Sequence, residues 1–175
     1  MNESRIEGYA RGLFEIARAE GTSDEVEDEL FRFARSYEGS DELRNALSDE
    51  QIPAGKRQAI IEDLLGGRVT PTTTQLISMV VGSGRSRDLP AIVDKLVARA
   101  STAKNLEVAE VRTAVALTAD QETRLAAALA NATGKQVNLK VVVDPSVLGG
   151  LVATVGDTVI DGTVRTRIEQ LKSRL

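Results

Sequence analysis

The chain has 175 residues, 27% of them charged and 42% hydrophobic, with a net charge of −4, no Cys and no His. That length suffices for one large domain or two small ones. The missing residue types exclude disulfides, thiolate nucleophiles, the usual zinc ligands and an imidazole acid–base.

Aromatic residues make up only 3%, so the core must come from Leu, Ile, Val and Ala. Charge is unevenly placed. Residues 1–50 carry fourteen acids against six arginines, residues 51–105 eight basic residues against four acids, and residues 106–175 eight of each. The polar start, Met1 to Arg5, has no basic region followed by an apolar run, so neither a secretory nor a transit peptide is expected. No apolar run approaches the ~18 residues that a membrane span needs. A soluble protein of the bacterial cytoplasm is expected, with any membrane association supplied by a partner.

A first helix is expected over residues 4–19. Ile6, Tyr9, Ala10, Leu13, Ile16 and Ala17 recur at the helical period, with Phe14 at the border. Together they cover an arc of roughly 160°, wider than one core contact requires, which leaves apolar surface for a second contact. Gly21 stops this helix. Thr22 with Glu25 three residues on reads as a capping box for a second helix to about Tyr37. That helix is expected to bury Val26, Leu30, Phe33 and Ala34 or Tyr37. The acids from Asp24 to Glu29 point around it and read as a solvated face.

Ser40 opens a short third helix with Leu43, Ala46 and Leu47. Pro53 is expected in the first turn of a fourth, which carries Ile60, Ile61, Leu64 and Leu65 and stops at Gly66-Gly67. Thr70-Pro71 repeats the cap-then-proline pattern. The fifth helix that follows is apolar on most sides through Leu76, Ile77, Met79, Val80 and Val81, until Gly82-Ser83-Gly84. A sixth, from about Asp88 to Ala103, places Ile92, Val93, Leu96, Val97 and Ala100 on one face. Six helices with short breaks imply a bundle over residues 1–105.

The period changes from there. Ala109, Val111, Thr113, Val115 and Leu117 alternate as a strand, and Thr118 with Gln121 forms a second capping box. The helix behind it carries Leu125, Ala126, Leu129 and Ala132 and ends at Gly134. Val137, Leu139, Val141 and Val143 give another strand, ended by Asp144-Pro145. Gly156-Asp157, between Leu151–Val155 and Thr158–Ile160, is a two-residue hairpin turn. A last helix is expected with Val164, Ile168, Leu171 and Leu175 on one stripe. Residues 106–175 are thus a small α/β domain, and the whole is α+β.

Little catalytic chemistry survives scrutiny. The glycines at 149, 150, 156 and 162 match no phosphate-loop spacing. Asp144, Asp157 and Asp161 sit at strand ends, where Asp shapes turns, although they could gather at one end of the hairpin. Arg85, Arg87, Lys95 and Arg99, like Arg165, Arg167, Lys172 and Arg174, lack interleaved aromatics and a net basic domain, so the nucleic-acid footprint is missing. What remains is an interaction protein with spare apolar helix surface. A helical regulatory or nucleic-acid-binding module is the alternative, and a carboxylate-dependent hydrolase would need convergent acids that the spacing does not supply.

One stretch is more specific. Val143-Asp144-Pro145-Ser146-Val147-Leu148-Gly149-Gly150-Leu151, continued by Val155-Gly156-Asp157 and Val159-Ile160-Asp161-Gly162-Thr163-Val164-Arg165, resembles the delta subunit family of the bacterial rotary ATP synthase, which includes the mitochondrial oligomycin-sensitivity-conferral protein. Tyr9-Ala10 with Leu13-Phe14, Ile52 with Lys56, Gly84-Arg85 and Thr133-Gly134-Lys135 are similar to further landmarks of that family. Thr163 stands where the family usually has Ser, and Gln75-Leu76 where an aromatic is common.

The resemblance implies a non-catalytic stator subunit with no cofactor or metal, present once per complex and peripheral to the cytoplasmic face of the plasma membrane. It implies that the bundle binds the N-terminal helix of an α subunit between the first and fifth helices. Carried onto this sequence, that groove would use Ile6, Tyr9, Ala10, Leu13, Leu76, Met79 and Val80. It further implies that the second domain holds the C-terminal region of the b-subunit stalk, with no nucleic acid bound and no direct membrane insertion.

Overall fold

The structure, a computed structural model, describes residues 2–162. Six helices come first: α1 (Asn2–Ala19), α2 (Ser23–Gly39), α3 (Asp41–Ser48), α4 (Ala54–Leu65), α5 (Pro71–Gly82) and α6 (Leu89–Ala103), the last preceded by a 3-10 turn over Ser86–Asp88. Then follow β1 (Glu107–Thr113), α7 (Ala119–Thr133), β2 (Val137–Val143), β3 (Leu151–Val155) and β4 (Thr158–Asp161). The class is α+β with a helical front, as the periodicities imply. The chain divides into two compact units, residues 1–100 and 101–175. The expected closing helix with Val164, Ile168, Leu171 and Leu175 lies outside the described residues.

Local capping chemistry explains several helix starts. Ser40 accepts from the Leu43 amide at 3.2 Å, and Thr70 accepts from Thr73 N at 3.2 Å with Pro71 in the first turn of α5. Two expected starts differ. Thr22 makes no side-chain cap, because its backbone (φ −116°, ψ 23°) is not the extended conformation that aims a hydroxyl at the first turn. Pro53 is the residue before α4 rather than inside its first turn; its carbonyl accepts from Lys56 and Arg57.

In the helical unit α4 and α5 form a closely packed hairpin, α2 packs on α1, α3 and α5, and α3 meets the 3-10 turn. Gly82 lies against the Gln58 side chain of α4: a Cβ there would meet its Nε2 at 2.4 Å, and that same nitrogen donates to Ser78 O at 3.1 Å. Val26, Leu30, Ile61, Ile77, Val81, Ile92, Val93 and Leu96 make up the centre of the core. Phe31 is also buried, and Arg35 stacks over its ring at 4.6 Å while reaching Glu38 at 2.9 Å and Asp94 at 2.7 Å.

Two polar staples complete the packing. Ser86 Oγ donates to Leu47 O at 2.7 Å, satisfying a carbonyl in the last turn of α3. Glu29 of α2 grips the start of α5: it accepts from Thr70 N at 3.0 Å, Thr70 Oγ1 at 2.8 Å and Thr73 Oγ1 at 2.6 Å. Burial pushes the Glu29 carboxyl upward, but the bonds from Thr73 and Thr70 and the charge of Arg32 outweigh it and hold it below its usual range. A negative charge also complements the N-terminal end of the α5 dipole. The expectation of a uniformly solvated acidic face is therefore corrected. Glu27 is buried and Glu29 half-buried, because the second helix packs on three neighbours and turns part of its acidic run inward.

In the second unit the sheet order is β2-β1-β3-β4. β1 pairs with β2 in parallel and with β3 antiparallel, and β3 with β4 antiparallel. α7 makes the crossover that a parallel pair requires, and both halves of its Thr118–Gln121 capping box form. Its Leu129 seals Ala109, Val111, Ala153 and Val155 on one sheet face, with Leu125, Leu139 and Ile160 around them. Ala132, expected inward, is exposed, since a helix on one flat face buries only a narrow stripe. Val115 and Leu117 fall beyond β1 because both partner strands stop opposite Thr113, at Val143 and Leu151. The hairpin forms as read, with Val155 opposite Thr158 and Gly156 at φ +55°.

Candidate functional site

No group of three or more Asp or Glu residues able to hold a metal occurs among the described residues. The three turn aspartates do not gather. Asp157 is in the hairpin turn, whereas Asp161 pairs with Val152 at the other end of the ladder. Asp144 accepts from Ser146 Oγ at 2.6 Å and Ser146 N at 2.9 Å, closing a local turn. Those bonds, with Arg112 nearby, hold its carboxyl below the usual range against a small desolvation effect. Its geometry is that of a strand stop.

Three of the cations that could have formed a nucleic-acid patch are engaged with carboxylates. Arg85 pairs with Asp88 at 3.3 Å, Lys95 with Glu3 at 3.5 Å, and Arg99 with Glu7. The last two pairs tie α6 to α1 and accompany the rotation of α1 about its own axis that its buried side chains set.

That rotation decides which part of the wide apolar arc meets the core. Placing Ile6 at zero and counting about 100° per residue, Leu13, Ala17, Ala10 and Phe14 fall between about −20° and +80°. All four are buried. Tyr9 and Ile16 fall at about −60° and −80°, on the flank. Tyr9 is half-buried and Ile16 is 41% exposed. Ile6 itself is half-buried. One half of the arc builds the bundle, and the other half is an apolar flank running along α1.

α5 divides in the same way. Leu76 and Val80 are buried with Ile77 and Val81, while Met79, at 43% exposure, projects outward from the same turns. Of the seven residues picked out as a groove, the structure places Ala10, Leu13, Leu76 and Val80 inside the bundle. Ile6 and Tyr9 are half-buried and Met79 is exposed. Ile16 joins them; its signal in the sequence was its position seven residues after Tyr9, on the same flank.

No helix of the described residues is long and apolar enough to cross a membrane. What the two helices leave outside the bundle is apolar side-chain surface: Ile6, Tyr9 and Ile16 from α1 and Met79 from α5.

Comparisons with known proteins agree on one family. The family model described as ATP synthase delta (OSCP) subunit matches residues 6–175. The chain is similar to a protein named ATP synthase subunit delta in Streptomyces avermitilis, at 42% identity over 159 residues, covering 91% of this chain and 58% of that one. It is 44% identical over 163 residues to the protein of that name in Nocardia farcinica, covering 93% of this chain and 60% of the relative. The chain thus spans less than two thirds of the length of these two relatives. Against the Symbiobacterium thermophilum protein of the same name, identity is 35% over 175 residues, covering all of this chain and 94% of that one. Among solved structures, a chain of the cryo-EM structure of the Toxoplasma gondii mitochondrial ATP synthase hexamer superposes with a TM-score of 0.56 at 25% identity, covering 97% of this chain and 96% of its own.

Proposed function

Because the chain belongs to the ATP synthase delta (OSCP) subunit family, we propose that it is the peripheral-stalk subunit that joins the catalytic head to the stator and resists the torque of the rotor. It makes and breaks no bond; its work is affinity and stiffness. The helical unit binds the N-terminal helix of an α subunit, and the sheet unit holds the C-terminal region of the b subunits. One copy serves each complex, at the cytoplasmic face of the plasma membrane and attached through the complex.

The apolar flank of α1 is the observation that carries this reading. Tyr9 and Ile16, with Ile6 beside them, offer a strip more than two turns long, and Met79 adds an apolar side chain from α5. A helix lying in such a strip would bury its own i, i+3/i+4, i+7 anchors there. The buried members Ala10, Leu13, Leu76 and Val80 form the floor that keeps the strip rigid. The ion pairs Arg99–Glu7 and Lys95–Glu3 accompany the rotation of α1 that presents it.

The test is a calorimetric titration of the full chain with a synthetic peptide of the α-subunit N-terminus from the same synthase. Binding accompanied by a gain in helical circular dichroism is expected. Ile16→Glu and Met79→Glu are expected to weaken it by about tenfold or more, because each places a charge in an apolar contact. Both residues are exposed, so the helical spectrum of the free chain should be unchanged. Leu13→Glu would bury a charge and unfold the bundle, and it cannot serve as the test. No heat and no helix gain at high micromolar peptide would overturn the proposal.

A further inference from the structure

A second surface of the helical unit lies on elements that the α1 flank does not use. Between α2, the start of α3 and the α4–α5 connection is an open cleft of about 380 Å³. Phe33, Leu43, Leu64, Leu65 and Val69 form its apolar lining, and Leu64 is 38% exposed. That exposed leucine gives the cleft an apolar lip.

Charge around the cleft runs against the charge of the unit. Residues 1–100 hold eighteen acids and thirteen basic residues, a net −5. The cleft itself is lined by Arg32, Arg68 and Glu29, a net +1. Glu29 is committed to the start of α5, with its oxygens taken up by Thr70 and Thr73. The two arginines are exposed, and neither makes an ion pair within 4.0 Å among the described residues; Arg32 donates from Nε to Asp28 O at 3.4 Å, and its charge acts on Glu29 from a greater distance. Elsewhere on the unit Arg35, Arg44, Arg85, Lys95 and Arg99 all have carboxylate partners. Two exposed guanidinium groups without an ion pair thus border the apolar floor of the cleft.

We propose that this cleft is a second docking site of the bundle, and that its occupant is an acidic amphipathic helix of a neighbouring subunit. One or two large aliphatic side chains of that helix fill the space over Phe33, Leu43 and Leu64, and its carboxylates meet Arg32 and Arg68. The volume sets the size of the occupant: about 380 Å³ lies at the small end of the range for ligand sites, enough for a pair of side chains. Guanidinium groups favour carboxylates through bidentate hydrogen bonds, which fixes the sign and the geometry of the partner. Charge at the rim of such a contact acts mainly through selectivity and association rate. The proposal rests on the stator reading only in supposing that other subunits surround the bundle.

The experiment uses the full chain, labelled with 15N, and follows its amide spectrum. The probe is a capped fifteen-residue model helix with a leucine stripe flanked by glutamates. A second helix, with lysine at every glutamate position, is the control. The expected result is a saturable shift of amides around Phe33, Leu43, Leu64 and Val69 with the glutamate helix, and none there with the lysine helix. The double variant Arg32→Glu/Arg68→Glu should weaken that binding by roughly tenfold, while Met79→Glu leaves it unchanged.

Equal binding of both helices at the cleft would overturn the proposal, as would shifts confined to α1 and the outer side of α5. Saturable binding of decanoate at the cleft, with neither helix binding, would make it a small-ligand pocket and also overturn it. Failure here with intact α-peptide binding leaves the stator reading in place. Loss of α-peptide binding with intact cleft shifts does the reverse.

Discussion

The two units reach stability by different routes. The helical unit, residues 1–100, encloses a layered aliphatic core and then locks its helices with side chains that cross between elements, as Glu29 does to Thr70 and Thr73 and Ser86 to Leu47. The sheet unit relies on backbone ladders and one modest core. Among the described residues its fully buried apolar set is Ala109, Val111, Leu129, Ala153 and Val155, mostly small side chains under a single helix. Large apolar groups left outside differ in kind as well. In the bundle Ile16, Leu64 and Met79 lie on helices whose other faces are packed, whereas in the sheet unit Val115, Val143, Leu148 and Val159 lie at strand ends, in connections and on an edge strand. A rigid helix with one spare flank is a surface that can be shaped for a partner without disturbing the core beneath it.

This contrast can be broken by mutation. The largest effect is expected from Ile77→Ala, which empties a completely buried site at the centre of the bundle. A loss of about 3 kcal/mol is expected in urea unfolding followed by circular dichroism. Chemical shifts of β1–β4 should hardly move before the transition. Collapse of the sheet signals in native buffer would show that the units are not independent in stability.

Next comes the staple. Glu29→Gln keeps the shape but removes the charge, and a loss of about 1 kcal/mol is expected after allowing for solvent screening. The pH dependence has a defined sign. Because the Glu29 carboxyl is held below its ordinary value of 4.5, it favours the folded state above that pH. That contribution disappears as pH falls through the lowered value. The wild-type chain should therefore lose more stability than the variant on acidification below pH 4.5, measured as the shift in urea midpoint. Parallel midpoints for the two chains would exclude the staple.

The smallest effects separate a formed cap from an unformed one. Thr118→Ala removes the side-chain half of the box at α7, the bond that its hydroxyl accepts from Gln121 N, and should cost about 1 kcal/mol. Thr22→Ala, at a cap position where the hydroxyl makes no cap bond, should change stability by less than about 0.5 kcal/mol. Equal losses in thermal melts would contradict the difference between these two threonines.

Those threonines also show how much the sequence could tell. Both stand three residues ahead of a Glu or Gln, so the pattern is the same at both. It works at Thr118, where the chain enters α7 in an extended conformation (φ −78°, ψ 159°). At Thr22 it fails, because the tight turn from α1 sets a different backbone. For the candidate site, the arc on α1 was legible as excess apolar surface. Which half of that arc stays exposed was not, and four of the seven candidate groove residues are buried in the bundle.

What the sequence determined by itself was local and repetitive. It determined the helix stops at Gly21 and Gly134, the caps at Ser40 and Thr70, the Gly156-Asp157 hairpin and the change from helical to strand period near Glu107. Such signals act within a turn or two of the chain, where backbone preference and side-chain spacing suffice. The family, too, was legible in the stretch from Val143 onward. Tertiary structure decided the rest: the placement of β1 between β2 and β3, the burial of Glu27, the grip of Glu29 on α5 and the rotation of α1 that leaves Tyr9 and Ile16 outside. Each depends on residues tens of positions apart competing for the same buried space. Periodicity can say that a face is apolar, but packing alone chooses which part of that face meets the core.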